Sequence, residues 1–287
     1  MKDYKSGYDL PPMSLDKFLE HTDNMPDQEF IIEELLPKGQ VMLVAGDPWQ
    51  GKSLENQRLA CTFGNGSKYH GLNTKTCKAF YMTWEGATKG INQRFKTLAK
   101  NLEPEILPTI KMFWEPVHID TQYGMEEMIK IIKNEQDKSN VEVVLIDSFP
   151  YTCKGDYRKD TVVAKWWENF QRIIYLTGIT PILVFELRKL VSWGQSPEEF
   201  FSLDRLKGAK GIGYKCYSVV MIGEIKKQRK RKSIIEWYSD GHRINVCKAK
   251  DAKGEFQALK VKLDRKQLMY NGEEWNWDEE TQIYRSG

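Results

Sequence analysis

Residues 46–53 of the chain read Gly46-Asp47-Pro48-Trp49-Gln50-Gly51-Lys52-Ser53. The apolar run before this stretch ends at Ala45, and the residues after it place Leu54, Leu59 and Phe63 within one amphipathic segment. The sequence therefore predicts a strand, a glycine-containing loop and a helix in direct succession. In that context, two glycines separated by four residues and followed by Lys-Ser have the spacing of a phosphate-binding loop.

The residue types in this loop suit a nucleotide. Glycine lets backbone N–H groups turn towards phosphate oxygens, and the N-terminus of the following helix adds partial positive charge. Lys52 would bridge the β- and γ-phosphates of ATP as a catalytic residue, and Ser53 would be a ligand of Mg²⁺. The other interpretation is a glycine-rich turn with a surface lysine. The predicted nucleotide-binding residues are Gly46, Asp47, Pro48, Trp49, Gln50, Gly51, Lys52, Ser53 and Leu54.

Short apolar runs alternate with amphipathic segments from residue 40 onwards. Runs of this kind are typical of strands that are buried on both faces. Alternation of such strands with helices predicts an α/β fold with a doubly wound, mostly parallel sheet flanked by helices. The predicted strands are Val41–Val44, Ala79–Met82, Ile110–Phe113, Val143–Ile146 and Ile182–Phe185.

The two ends of the chain differ from this middle part. We predict an N-terminal arm (1–39) with one short helix capped by Ser14, a core (40–225), and a β-rich extension of the same domain (226–287). Residues 226–232 hold six cations in seven positions, and we place them between two strands, as a solvated hairpin tip or a phosphate contact. The antiparallel strands predicted after residue 214 are Ser218–Ile225, Ser233–Tyr238, Ile244–Lys248 and Phe256–Leu263, with turns at Asp240-Gly241 and Lys253-Gly254.

Two acidic side chains follow predicted strands downstream of the loop. Asp147 ends an apolar run, at the carboxyl edge where open α/β sheets bind ligands, and we expect it to bind Mg²⁺. Many P-loop ATPases place a Glu directly after this Asp to activate water, but here the neighbour is Ser148. Glu85, which follows another strand and precedes Gly86, is therefore the predicted catalytic base. The alternative is an acid that stabilises a helix N-terminus.

These features resemble the RecA/DnaB-type ATPases, and most closely the compact plasmid and phage RepA-type hexameric helicases. Leu36-Pro37-x-Gly39, Gln93-Arg94-Phe95 and the segment 181–189 add to the resemblance, which covers about residues 30–225. It implies a RecA-like sheet, ATP between the subunits of a homo-oligomer, and Glu85 and Asp147 in the roles given above. The oligomer would be a ring, such as a hexamer, or a filament, with loops that bind single-stranded DNA after the fourth and fifth strands.

Two positions depart from the family's pattern. Glu186 ends the fifth strand, where the family usually has His or Gln as a γ-phosphate sensor, and an acid there repels phosphate unless it is protonated or paired. Glu186 is also the second candidate for the catalytic base. Lys207-Gly208-Ala209-Lys210 replaces the relatives' Arg-Gly-Ser-Ser. The cations that could reach a neighbouring subunit's ATP are Lys207, Lys210, Lys248 and Lys250.

Two segments mix aromatic and basic residues at the positions of the family's DNA loops. Such a mixture suits stacking and phosphate contact with single strands, although solvated surface loops have similar compositions. The DNA-contact candidates are Lys154, Arg158 and Lys159 in the first segment and Arg188, Lys189 and Trp193 in the second.

Composition limits the remaining options. The 287 residues are 40% hydrophobic and 29% charged, and no apolar run approaches the roughly 18 residues of a membrane span. No N-terminal leader is recognisable, so we expect a cytoplasmic protein. Because the net charge is only +3, any nucleic-acid surface must be local.

The sequence supports one main functional hypothesis and two alternatives. The main hypothesis is a Mg²⁺-dependent ATP hydrolase that acts on single-stranded DNA as an oligomeric replicative helicase. The first alternative is a nucleotide-switched recombinase-like, annealing or helicase-loading ATPase, which Glu186 favours. The second is a small-molecule P-loop kinase, for which the sequence offers no clear arginine-bearing lid.

Overall fold

A computed structural model describes residues 13–24, 26–48, 50–84, 89–102, 104–187, 201–206, 210–231, 234–250, 255–256, 258–264, 269–279, 281 and 283–286. The helices are α1 (Leu15–Asp23), α2 (Lys52–Asn65), α3 (Lys89–Leu102), α4 (Gln122–Ser139), α5 (Asp160–Thr177) and α6 (Lys210–Lys215). The strands are β1 (Phe30–Ile32), β2 (Leu36–Pro37), β3 (Met42–Gly46), β4 (Lys78–Thr83), β5 (Ile110–Phe113), β6 (Val141–Asp147), β7 (Thr180–Glu186), β8 (Ser218–Arg231), β9 (Ile234–Ala249), β10 (Glu255–Phe256), β11 (Leu259–Asp264), β12 (Met269–Gly272), β13 (Trp275–Asp278) and β14 (Ile283–Ser286).

One large sheet organises the described part of the chain. Its strand order is β12-β11-β9-β8-β3-β7-β6-β4-β5. The six strands from β8 to β5 in this order are parallel, and β9, β11 and β12 continue the sheet as antiparallel strands. The predicted doubly wound, mostly parallel sheet with an antiparallel C-terminal extension is therefore confirmed, and the five predicted strands correspond to β3–β7.

The central strands β3, β6 and β7 are buried on both faces, as the apolar runs predict, whereas in the edge strand β5 only Ile110 is buried. On β3, Met42 and Val44 belong to one core layer, whereas Leu43 and Ala45 belong to the other. This alternation follows from the two-residue period of side chains along a strand. Apolar residues of α2 and α3 complete the first layer, and those of α4 and α5 complete the second. Helices on both faces leave the carboxyl ends of the parallel strands as the edge where loops meet.

Two details of the C-terminal prediction are wrong. Asp240 and Gly241 lie within β9, at an irregularity of its pairing with β8, and do not form a hairpin turn. The basic run lies mostly within β8, whose pairing with β9 extends to Arg231 opposite Ile234. Four of the five residues at positions 234–238 of β9 are β-branched or aromatic, and such residues favour strands. The basic run can pair with them because the hydrogen bonds between strands are formed by the backbone and not by side chains.

The predicted N-terminal helix is confirmed as α1, which begins after Ser14, but the Ser14 side chain forms no capping hydrogen bond. No residue of this helix is buried. None of the helices in the described ranges is both long enough and apolar enough to cross a membrane. The division of the chain at residues 39 and 225 stays a prediction.

A buried charged cluster joins α2 to the C-terminal strands. Glu55 accepts two hydrogen bonds from Arg58, from Nη2 to Oε1 at 2.9 Å and from Nε to Oε2 at 3.1 Å. Its Oε1 also lies 2.8 Å from His70 Nε2. The His70 carbonyl accepts a hydrogen bond from the Trp275 N–H, and the two rings meet edge to face. Trp275 is buried.

Electrostatics assign the protonation states in this cluster. Burial alone would raise the pKa of Glu55, but the neighbouring Arg58 guanidinium outweighs it and holds that pKa well below the usual range. Burial, followed by the charge of Arg58, lowers the pKa of His70 below 6.5. His70 is therefore neutral at pH 7, and its Nε2–H donates to the Glu55 carboxylate.

Candidate nucleotide-binding site

The phosphate-binding loop joins β3 to α2, as predicted. Gly51 precedes α2 with φ +87°, a left-handed conformation that favours glycine. Gly46 is fixed by a close backbone approach, because a Cβ there would lie 2.4 Å from the carbonyl oxygen of Ile222 on β8. Both glycines of the motif are thus required by the backbone, whereas Trp49 lies outside the described residues.

Lys52 and Leu54 contribute differently to this loop. Lys52 is 8% exposed, and its Nζ donates a hydrogen bond to the Asp47 carbonyl oxygen at 2.8 Å. The ammonium group therefore already lies across the loop that would cradle a phosphate. The Leu54 side chain packs in the core, so only its backbone is available to a nucleotide.

The predicted metal-binding pair is brought together at the same edge. Asp147 ends β6 opposite Thr83 of β4, is buried, and its Oδ1 accepts a hydrogen bond from Ser53 Oγ at 3.2 Å. Adjacent oxygen ligands of an octahedral Mg²⁺ with bonds of about 2.1 Å lie about 3.0 Å apart. Ser53 and Asp147 therefore fit one magnesium ion, in both oxygen type and separation.

Tyr81 on β4 is a site residue that the sequence analysis missed. Its O–H donates to Asp147 Oδ2 at 2.5 Å, and Gln57 Nε2 lies 3.4 Å from the same phenolic oxygen. Burial, followed by the charge of Asp147, raises the pKa of Tyr81 well above its ordinary value, so the phenol remains a donor at neutral pH. A tyrosine in an apolar strand has no sequence signal for this role, because its partner lies 66 residues away.

Replacement of Tyr81 with phenylalanine is expected to weaken magnesium binding. Hydrogen bonds to a metal-binding carboxylate orient it, and their loss typically costs about 10- to 100-fold in metal affinity. The Mg²⁺ concentration for half-maximal ATP turnover should rise about tenfold, with a much smaller change in the rate at saturating Mg²⁺. A Mg²⁺ titration of ATPase activity measures this. Tyr123→Phe, at an exposed position on α4, is the control, and an unchanged midpoint in Tyr81→Phe would exclude the role.

Glu186 and Glu85 are the two candidates for the catalytic base. Glu186 ends β7, is partly buried, and is paired with Gly46 in the sheet register, so its backbone lies beside the start of the phosphate-binding loop. Glu85 lies outside the described residues, two positions after Thr83, which pairs with Asp147.

Arg205 is the second residue missed by sequence reasoning. It lies in a short 3₁₀ helix (Leu203–Arg205), is 6% exposed, and its Nη2 donates to Asp47 Oδ1 at 2.7 Å. The two residues are 158 positions apart, so no local pattern links them.

The backbone of the first DNA-loop candidate is held by hydrogen bonds to Asp120. The Asp120 carboxylate accepts the backbone N–H groups of Lys154 and Gly155, each at 2.8 Å. Lys154, Arg158 and Lys159 are exposed, although Arg158 Nε lies 3.5 Å from the Asp156 carboxylate. Arg188, Lys189 and Trp193 of the second loop lie outside the described residues.

The four lysines predicted to reach a neighbouring subunit's ATP differ in their contacts and exposure. Lys248 Nζ donates to the carbonyl oxygens of Gly213 and Tyr214 at the end of α6, so it stabilises that helix terminus within its own subunit. Lys250 is exposed. Lys210 begins α6, and Lys207 lies outside the described residues.

Comparison with known proteins places this site in a family. An AAA domain family model matches residues 10–190, which is more than half of the chain. A comparison with curated proteins found no match. Among solved structures, a KaiC-like protein from the hyperthermophilic archaeon Pyrococcus horikoshii OT3 is similar at 14% identity and a TM-score of 0.49, over 81% of this chain and 89% of that one. With Lys52, Ser53 and Asp147 at the carboxyl edge of the parallel sheet, the chain belongs to the AAA domain family and is a P-loop ATPase.

Proposed function

We propose that the protein is an oligomeric, Mg²⁺-dependent ATP hydrolase that acts on single-stranded DNA as a replicative helicase. The observation that carries this proposal is the shared edge of the sheet. The phosphate-binding loop follows β3, while Asp147 ends β6 and is followed by residues 148–159, which carry the exposed cations Lys154, Arg158 and Lys159. Hydrolysis of ATP beside Asp147 could therefore affect the adjacent residues 148–159, whose exposed cations suit the phosphates of DNA.

The chain's own residues divide the chemistry among them. ATP with Mg²⁺ supplies the phosphoryl group and the cation that neutralises charge on its oxygens. Lys52 holds the phosphates from within the loop, and Ser53 and Asp147 hold the cation. Glu85 orients and deprotonates the attacking water, with Glu186 as the second candidate.

Oligomerisation and DNA binding rest on the resemblance to RecA/DnaB-type and RepA-type ATPases together with these loops. ATP would lie between subunits of a ring, such as a hexamer, or of a filament. Of the four predicted trans-acting lysines, exposed Lys250 is favoured over Lys248, which bonds within its own subunit.

A nucleotide-switched ATPase that loads, anneals or coats DNA is the second candidate function. Glu186 favours it, because an acid beside Gly46 replaces the neutral sensor that couples γ-phosphate to DNA in the resembled family. Electron microscopy with ATP and single-stranded DNA separates the two candidates, since closed rings support the helicase and filaments support the switch. A small-molecule kinase would be a monomer that is indifferent to DNA.

Single-stranded DNA is expected to stimulate ATP turnover through the first loop. The double variant Lys154→Ala/Lys159→Ala removes two exposed cations, each of which contributes about 0.7 to the salt dependence of single-strand binding. The slope of log affinity for oligo(dT) against log salt should become shallower by about 1.4, and stimulation should fall. Titrations at several NaCl concentrations measure both effects.

Lys130→Ala/Lys133→Ala is the matched control, because both lysines are exposed on α4. It should leave the slope and the stimulation unchanged. ATP turnover that is indifferent to single-stranded DNA in the unmodified protein contradicts the helicase proposal. Stimulation that survives in the Lys154/Lys159 variant excludes this loop as the contact.

A further inference from the structure

The phosphate-binding loop contains a carboxylate where a polyanion must bind. Asp47 directly follows Gly46, and its carbonyl oxygen accepts the Lys52 ammonium at 2.8 Å. One side of this residue therefore helps to position the phosphate-binding lysine. The other side carries a negative charge that opposes the nucleotide's phosphates, unless it is compensated.

Arg205 provides that compensation from a distant part of the chain. Its guanidinium lies 2.7 Å from Asp47 Oδ1, and the side chains are 7% and 24% exposed, respectively. A charge pair so shielded from water interacts more strongly than one on the surface. The carboxylate of Asp47 is thus balanced before any nucleotide arrives.

The backbone around Arg205 holds its guanidinium in place. Leu206 forms an isolated antiparallel bridge with Leu187, and the Leu187 N–H donates to the Gly46 carbonyl oxygen at 3.1 Å. Ser202 caps the 3₁₀ helix by accepting the Asp204 N–H at 3.2 Å. Residues 187 and 205 are consequently attached to Gly46 and Asp47, two consecutive residues of the loop.

We propose that Arg205 is a positioning residue for nucleotide binding, which neutralises Asp47 so that the loop accepts a triphosphate. The proposal rests on nucleotide binding at the loop and names a determinant of its affinity. Without the arginine, an uncompensated carboxylate faces the phosphates. A like charge within about 4–6 Å disfavours a second one, and an arginine at that distance from a carboxylate is worth about one to three powers of ten in a charge equilibrium.

The test measures the dissociation constant of Mg²⁺-ATP for four variants, by competition with a fluorescent ATP analogue. Arg205→Gln should bind ATP at least about tenfold more weakly than the unmodified protein. Arg205→Lys keeps the positive charge and should remain within about threefold of the unmodified protein. Asp47→Asn/Arg205→Gln removes both charges and should return to within about threefold of Asp47→Asn alone.

The outcomes separate three explanations. An Arg205 that contacted phosphate directly would leave the double variant as weak as Arg205→Gln, and this result overturns the proposal. Unchanged affinity in Arg205→Gln also overturns it. Salt screens repulsion between like charges, so under this proposal the loss of ATP affinity in Arg205→Gln should become smaller as salt is added. A loss of affinity caused by a structural defect would not depend on salt in this way. Failure of the unmodified protein to bind ATP would instead refute the proposed function.

If Arg205→Gln does not fold, Arg205→Lys and the double variant still decide the question. Retained ATP affinity in both supports charge neutralisation. Weak binding by the folded Arg205→Lys shows that the fork geometry of arginine, and not its charge, is required, which contradicts the proposal.

Discussion

Replacement of Lys52 with alanine is expected to lower ATP turnover roughly a thousandfold, because removal of one charge-stabilising donor from an active site typically costs 10²- to 10³-fold. The structure gives the physical reason. The ammonium is nearly buried, lies at the N-terminus of α2 and already bonds across the loop to the Asp47 carbonyl oxygen. A steady-state phosphate-release assay measures the loss.

Two companion variants make this result specific. Lys133→Ala removes an exposed lysine from α4 and should turn over ATP normally. Glu85→Gln should bind ATP but hydrolyse it very slowly, since it removes the proposed base and keeps the loop. Full turnover in Lys52→Ala would exclude this loop as the catalytic phosphate site, and full turnover in Glu85→Gln would make Glu186 the next candidate for the base.

Replacement of Arg58 with methionine is expected to lower the free energy of unfolding by about 3–5 kcal/mol, because it leaves a buried carboxylate with an uncompensated charge. Glu55 is fully buried one turn into α2, and Arg58 forms two hydrogen bonds with it. Urea unfolding followed by circular dichroism measures the loss. Destabilisation of α2 should also weaken ATP binding, since the same helix carries Lys52 and Ser53.

Lys165→Met is the matched control, since Lys165 and Glu168 have the same three-residue spacing but are exposed on α5. Exposed pairs contribute about 0–1 kcal/mol, so this variant should lose little stability. The variant Glu55→Gln/Arg58→Met should be more stable than Arg58→Met alone. Equal effects of the Arg58 and Lys165 substitutions would show that burial does not determine the strength of these pairs.

The pH dependence gives an independent check on the same cluster. In the unmodified protein the pKa of His70 is lowered, so below pH 6.5 the unfolded chain binds more protons at this residue and stability falls. Arg58→Met removes a charge that lowers this pKa, and His70 can then protonate beside Glu55 in the folded state. The stability gap between the two proteins should therefore narrow from pH 7 to pH 5.5. A constant gap would contradict the assigned role of His70.

Much of the fold could be predicted from the sequence, because its causes are local. The strands β3–β7 are apolar runs, the helices between them are amphipathic, and the loop from Gly46 to Ser53 has a spacing that few other structures require. The C-terminal hairpin was predicted less well. Asp-Gly is a strong turn signal, but here the chain continues as β9 through this pair, and its pairing with β8 is irregular at that point.

The candidate site divides in the same way. The phosphate loop, the predicted metal ligands Ser53 and Asp147, and their common sheet edge could all be predicted from the sequence, because motif spacing is local and a parallel sheet places the carboxyl ends of its strands at one edge. The hydrogen bonds of Tyr81 to Asp147, of Arg205 to Asp47 and of Lys248 to its own helix are visible only in the folded chain. Each of these depends on contacts between residues 34 to 158 positions apart, and packing of the whole sheet, which no local pattern encodes, sets their distances.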